Sequence, residues 1–161
     1  MKMSCVTIPS PVGKLLLTAD ESALTGVHFA DRDVSAARRN GATDAGHPIL
    51  KKAAQQLAEY FAGKRTAFSI PWRLAGTTFQ EKIWQEIARI PYGKTISYSE
   101  LAARAGSERA VRAAGTSTGR NPVAIIIPCH RVMGKSGGLC GFGGGLDKKR
   151  FLLKLEKIDL L

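Results

Sequence analysis

The sequence predicts an α+β protein in two parts: a small strand-rich N-terminal unit over residues 1–75 and a helical C-terminal unit over residues 76–161. Three observations carry that reading. Short β-type runs punctuated by Pro and Gly fill the start of the chain. From Thr77 onward the apolar spacing becomes helical, with caps and stops. Then the apolar run Val123-Ala124-Ile125-Ile126-Ile127 leads into Pro128-Cys129-His130-Arg131, delivering a thiol, an imidazole and a guanidinium together.

The elements follow in order. Cys5-Val6-Thr7-Ile8 is a strand, Pro9 to Gly13 a turn, and Lys14–Ala19 and Leu24–Phe29 two further strands. Arg32 to Gly46 is polar, contains Gly and Ala, and reads as a mobile loop. Pro48 opens a helix with apolar positions Leu50, Ala54, Leu57, Ala58 and Phe61, ended by Gly63. Thr66–Ile70 is a candidate strand and Trp72 to Gly76 a linker. Thr78 and Glu81 have capping-box spacing. Phe79, Ile83, Trp84 and Ile87 supply that helix's buried face, and Pro91-Tyr92-Gly93 stops it. Ser97 and Glu100 repeat the box for a short helix with Leu101, Ala102 and Ala105 inward and Gly106 at its end. Ser107 caps a third helix ending at Gly119, and the pair forms a helix-turn-helix. Val123–Ile127 reads as a buried strand that Pro128 must stop. Gly134–Gly138 is the tip of a hairpin, or wing. A last helix runs from about Asp147 and buries Phe151, Leu152, Leu155 and Ile158.

The net charge is +11. Residues 1–75 hold 10 Lys/Arg against 6 Asp/Glu, a net +4, and residues 76–161 hold 14 against 7, a net +7. An excess of this size fits a polyanion partner, nucleic acid first, although charge alone names none. No apolar run has the length of a membrane span, and Met1-Lys2-Met3-Ser4-Cys5 lacks a signal-peptide core. Three widely spaced cysteines are not a disulfide framework. A reducing, cytoplasmic compartment is expected.

Cys129 at a rigid strand end, beside a titratable base and a fixed cation, has what a thiolate nucleophile needs; the alternative is a structural cysteine that precedes a histidine. In an extended chain, Cys129 and His130 point to opposite faces, so a proton passes between them only at a sharp turn or through a water. Glu156 lies on the edge of the last helix's buried stripe and is the candidate to orient His130; pairing with Lys149 or Lys157 is the alternative. Arg109, Arg112 and Arg120 lie among small residues that let a helix approach a groove, or they form an ordinary solvated basic face.

Together these segments resemble the O6-alkylguanine-DNA alkyltransferase family. The matching text is Gly76-Thr77-Thr78-Phe79-Gln80, Trp84, Ile90-Pro91-Tyr92-Gly93, Ser97-Tyr98, Ala110-Val111-Arg112-Ala113, Arg120-Asn121-Pro122, Ile127-Pro128-Cys129-His130-Arg131-Val132, Gly144-Gly145-Leu146 and Leu152-Leu153-Lys154-Leu155-Glu156. It covers residues 76–157 in order, while the first 75 residues match loosely, as the family's variable, ribonuclease-H-like N-terminal domain. The resemblance implies a winged helix-turn-helix-like C-terminal domain. It implies DNA repair: an alkylated guanine flips out of duplex DNA and its O6-alkyl group moves once, irreversibly, to Cys129. O4-alkylthymine is a further substrate to consider. It implies that His130 accepts the thiol proton through a water, that Glu156 orients His130, and that Asn121 holds the turn before the active-site segment. It implies that Tyr98 helps protonate the departing guanine, that Arg112 fills the gap in the base stack, and that Tyr98, Ser99 and Lys135 also contact DNA. The implied partner is double-stranded DNA carrying alkylated guanine, met by a monomer with no membrane association. No cofactor is implied.

Phe142 and Gly143 replace a tyrosine and a serine found in some relatives, which predicts a roomier, less polar pocket. Cys5, His28 and His47 are too scattered for a tetrahedral zinc site, so no metal is expected. Cys140 is either a bland loop cysteine or a regulatory thiol. Two other functions compete. An alkyltransferase-like protein binds the lesion without transfer, against which Cys129 itself argues. A Cys-His hydrolase would need an oxyanion hole that the sequence does not indicate.

Overall fold

The computed structural model describes residues 2–30, 42–44, 46–134, 142 and 145–159, in two compact units. The first comprises Met1–Leu74 with Pro122–Ala124, and the second Ala75–Asn121 with Ile125–Leu161.

The first unit is built on a four-stranded sheet ordered β3-β2-β1-β4. Its strands are β1 (Ser4–Ile8), β2 (Leu15–Ala19), β3 (Leu24–Phe29) and β4 (Ala42–Thr43). β1, β2 and β3 are antiparallel neighbours, with Ile8 opposite Leu15 and Leu15 opposite Phe29. Leu15, Leu16 and Leu17 are all fully buried, because this strand is central and covered on both faces. The turn into β3 is closed by Asp20, whose Oδ1 accepts from the Ser22 and Ala23 amides while Arg73 Nε donates to Oδ2 at 2.7 Å. Helix α1 (Pro48–Phe61) begins at His47, whose Nδ1 accepts from the Ile49 amide.

Four expectations for this unit need correction. β4 lies inside the stretch read as a loop and pairs parallel with β1, Ser4 opposite Ala42. The buried stripe of α1 is Leu50, Ala53, Gln56, Leu57 and Tyr60. Ala54, Ala58 and Phe61 instead line an apolar groove with Ile8, Pro9 and Pro11. Thr66–Ile70 is not a strand: Gln56 Oε1 accepts the Ser69 amide that a ladder would need, and Gln56 Nε2 donates to the Ser69 hydroxyl. The segment read as a linker pairs with β3 instead: Leu24 N donates to Pro71 O, and Arg73 N to Leu24 O.

The second unit holds α2 (Thr78–Ala88), α3 (Tyr98–Arg104), α4 (Val111–Gly119) and α5 (Leu146–Leu155), with β5 (Ile96–Ser97) parallel to β6 (Val132–Met133). The capping box of α2 is Thr77 with Gln80, one residue earlier than Thr78 with Glu81. Ile83, Trp84 and Ile87 are its buried face, and Phe79 is half-buried. Trp84 Nε1 donates to Ser117 O at 2.8 Å, tying α2 to α4. Ser97 caps α3 as expected, and Gly106 takes the left-handed conformation after it, at φ 83°. Ser107 does not cap α4; Ala110 precedes it without a side-chain cap, and the Ser107 carbonyl accepts the Ala110 amide in a turn. In α5, Leu152 and Leu153 are buried, but Phe151 is 38% exposed and Lys149 is fully buried. The candidate wing tip lies mostly outside the described residues, as do Lys135, Cys140 and Gly143.

Candidate active site

Val123–Ile127 is buried except at Ile126, which is half-buried, and is not a continuous strand. Val123 makes an isolated bridge to Val27, and Ile125 then adopts φ 71°, a left-handed conformation that a β-branched residue rarely takes. Asn121 Nδ2 spans this turn and donates to Ile127 O at 2.7 Å. A short 3-10 helix, Cys129–Arg131, follows. The thiol therefore leaves a tight turn and not an extended strand end, so the alternation expected of a strand does not govern Cys129 and His130.

Cys129 and His130 are both buried. His130 Nε2 lies 2.6 Å from Glu156 Oε2. Because a carboxylate only accepts, Nε2 carries the hydrogen, and in the neutral ring Nδ1 presents a lone pair. Nδ1 is buried and has no hydrogen-bond partner among the described residues. Burial pushes His130 below the usual imidazole range; Glu156 opposes this, and the charges of Arg131 and Lys149 add to it. Burial likewise pushes the Cys129 thiol up, opposed by a hydrogen bond with Asn121 and the charge of Lys149. The resting pair is thus a neutral thiol beside a neutral imidazole.

Glu156 caps the C-terminus of α5 and meets His130, as the sequence spacing suggested. Its second partner was not foreseen. Arg131 donates from Nε to Oε1 at 2.8 Å and from Nη2 to Oε2 at 3.0 Å. The fixed cation next to the thiol in sequence is therefore turned onto the carboxylate. The Gly93 amide adds a fourth donor, at 3.1 Å from Oε1. Lys149 was also missed as a site residue; its Nζ donates to Val132 O at 2.7 Å. Its spacing held the signal, because Lys149, Leu152, Leu153 and Glu156 form one buried stripe of α5.

The remaining candidates lie on the helix pair. Tyr98 is half-buried at the first position of α3. Its ring lies against Gly115, where an added Cβ would sit 3.8 Å from Cδ1. Ser99 and Arg112 are exposed. Arg109 precedes α4 and Arg120 ends it, so of these three arginines Arg112 alone is within the helix. In the other unit, His47 uses both ring nitrogens, on the Ile49 amide and the Asp20 carbonyl.

Fold and site define a class: a two-unit α+β protein with a buried cysteine set beside a His–Glu–Arg cluster. Comparison with known proteins is specific. The family model for the 6-O-methylguanine DNA methyltransferase DNA binding domain matches residues 78–158, and the model for the ribonuclease-like domain of the same proteins matches residues 3–74. The methylated-DNA–protein-cysteine methyltransferase of Mycobacterium leprae is 45% identical over 157 residues, which is 98% of this chain and 94% of that protein. The crystal structure of the Mycobacterium tuberculosis O6-methylguanine methyltransferase superposes with a TM-score of 0.90 at 44% identity, covering 96% of this chain and 93% of that one. A Mycobacterium tuberculosis structure in complex with DNA gives 0.88 at 43% identity, covering 98% and 93%. The chain belongs to the 6-O-methylguanine DNA methyltransferase family.

Proposed function

We propose that this protein repairs DNA by moving the O6-alkyl group of guanine onto Cys129, once per molecule. The observation that carries this reading is the buried Nδ1 lone pair of His130, whose opposite nitrogen is fixed by Glu156. A water between the Cys129 thiol and Nδ1 would pass the proton to the ring. The thiolate then attacks the alkyl carbon, a C–S bond forms, and the C–O6 bond breaks with its electron pair going to guanine. Tyr98 helps protonate the departing base. The thioether has no easy leaving route, so the thiol is not regenerated.

The acceptor is buried and a stacked base cannot reach it, so the lesion has to be extruded from the duplex. Arg112, on the exposed face of α4, fills the gap left behind. Ser99 on α3 and Lys135 serve the DNA backbone. Asn121 holds the turn at Ile127 and shares a hydrogen bond with the thiol. The protein acts as a monomer in a reducing cytoplasm. A lesion-binding protein that performs no transfer has no use for a thiol in this cluster.

Intact-mass measurement after mixing with a duplex carrying O6-methylguanine tests the proposal. One methyl should replace the thiol hydrogen of Cys129, with no turnover beyond one equivalent. Cys129→Ala should bind the duplex and transfer nothing. Methyl transfer by that variant, or repeated turnover by the unaltered protein, would remove the reading.

A further inference from the structure

We propose that Arg131 is a positioning residue for the proton acceptor: by occupying both oxygens of Glu156 it lets that carboxylate fix the His130 tautomer without drawing a second proton onto the ring. This deepens the reading of His130 as the base and rests on it.

The geometry is a shared carboxylate. Oε2 of Glu156 takes His130 Nε2 at 2.6 Å and Arg131 Nη2 at 3.0 Å, while Oε1 takes Arg131 Nε at 2.8 Å. The third guanidinium nitrogen, Nη1, donates to Ile90 O at 2.6 Å. The Tyr92 ring lies 5.7 Å from the guanidinium carbon. Arg131 is thus held at three nitrogens and has little freedom to leave. The fork also matches the planar carboxylate in a way that a lysine could not.

Charge accounting gives this contact a function. His130, Arg131 and Glu156 are all buried. Arg131 neutralises Glu156, so the ring meets a carboxylate whose charge is already balanced. Protonating His130 would add an unbalanced cation close to a second one, Lys149, which is also fully buried. Without Arg131 one cation fewer opposes the pull of Glu156 on the ring, which favours the imidazolium, and an imidazolium has no lone pair to accept a thiol proton. Among the described residues, the charged groups that bear on His130 are Glu156 and Lys149 from α5 and Arg131 from its own turn. The cations hold the ring neutral against the pull of the carboxylate.

The test uses the full chain labelled with nitrogen-15 at histidine, with the His130 signals assigned through His130→Gln. In the unaltered protein, His130 should remain the neutral, Nε2-protonated ring from about pH 8 down to about pH 6, through the range where an ordinary imidazole titrates. In Arg131→Met, His130 should titrate at higher pH than in the unaltered protein. Methyl transfer should slow in step, by about tenfold for each unit below that new titration point, and recover at alkaline pH. Arg131→Lys, which keeps the charge and loses the fork, should fall between. An imidazolium in the unaltered protein at neutral pH overturns the proposal whether or not the variants fold. So does a transfer rate reduced by the same factor at every pH in Arg131→Met. The base reading fails separately, if His130→Ala transfers methyl at the unaltered rate while the Arg131 variants still shift the ring's titration.

Discussion

His130 and Glu156, 26 residues apart, meet at 2.6 Å in a site where neither side chain is exposed. The contact joins the turn that carries the thiol to the end of α5. It fixes which ring nitrogen of His130 faces away from the carboxylate.

Glu156→Gln removes the charge shared by His130 and Arg131 and leaves the buried Arg131 cation unbalanced. Breaking one side of a buried ion pair typically costs about 3–5 kcal/mol, and chemical denaturation should show a loss of that order. Transfer should also slow, since a positioned general base contributes roughly 10²–10⁴-fold. A stability change within about 0.5 kcal/mol, the scale of an ordinary surface substitution, would contradict the role given to this carboxylate.

Stability should be flat between two limits set by the buried pair. His130 titrates below the ordinary imidazole value of 6.5 when folded, so the unfolded chain binds its proton first as pH falls. The His130 contribution is therefore full above about pH 6.5 and is lost below it. Cys129 titrates above the ordinary thiol value of 9.0 when folded, so the unfolded chain releases its proton first as pH rises. Its contribution is full below about pH 9 and is lost above it. Thermal melts across this range should lose stability on both sides, and His130→Gln should reduce the acid-side loss, leaving the share of His28, which burial also pushes below the usual imidazole range. An acid limb unchanged in that variant would assign it to other groups.

Much of this molecule was legible in its sequence where a local rule had one solution. The three N-terminal strands, the helix from Pro48 and the cap at Ser97 occur within a residue of expectation. The candidates Cys129, His130 and Glu156 come from motif and spacing, and the structure brings His130, the residue after Cys129, onto Glu156. Other features failed for identifiable reasons. Thr77 and Thr78 each have a capping partner three residues on, so the pattern cannot choose between them. A run such as Val123–Ile127 reports burial but not direction, and it cannot reveal that Ile125 turns to φ 71°. Arg131 looked like a partner for the adjacent thiol because adjacency is visible in a sequence and a folded-back carboxylate is not. Phe151 reads as buried because hydrophobicity outranks position in a pattern, yet it is 38% exposed, while the buried Lys149 has a carbonyl to meet at Val132.

Lys157→Gly should stabilise the fold. Lys157 follows α5 at φ 61° and is exposed. The Ile158 amide donates to Leu153 O and the Lys157 amide to Lys154 O, each at 2.9 Å, the pairing of a Schellman end in which glycine is preferred. Relief of the left-handed strain outweighs the extra freedom glycine gains on unfolding, for a net gain of roughly 0.5–1 kcal/mol. A denaturation midpoint that falls would show that the lysine side chain contributes something the backbone geometry does not reveal.

Arg112→Ala separates reading the duplex from the chemistry. Arg112 is exposed at the second position of α4, whereas Cys129, His130 and Glu156 are buried. Its removal leaves Cys129, His130 and Glu156 untouched, so reaction with a free alkylated guanine should proceed at close to the unaltered rate. Repair of the same lesion in duplex DNA should fall further if Arg112 has the proposed role of filling the gap in the base stack, because unstacking costs a few kcal/mol. Side-by-side single-turnover rates on the two substrates decide the matter. Equal losses would remove Arg112 from extrusion and return it to the general basic surface, where its loss would show as a reduced salt dependence of DNA binding.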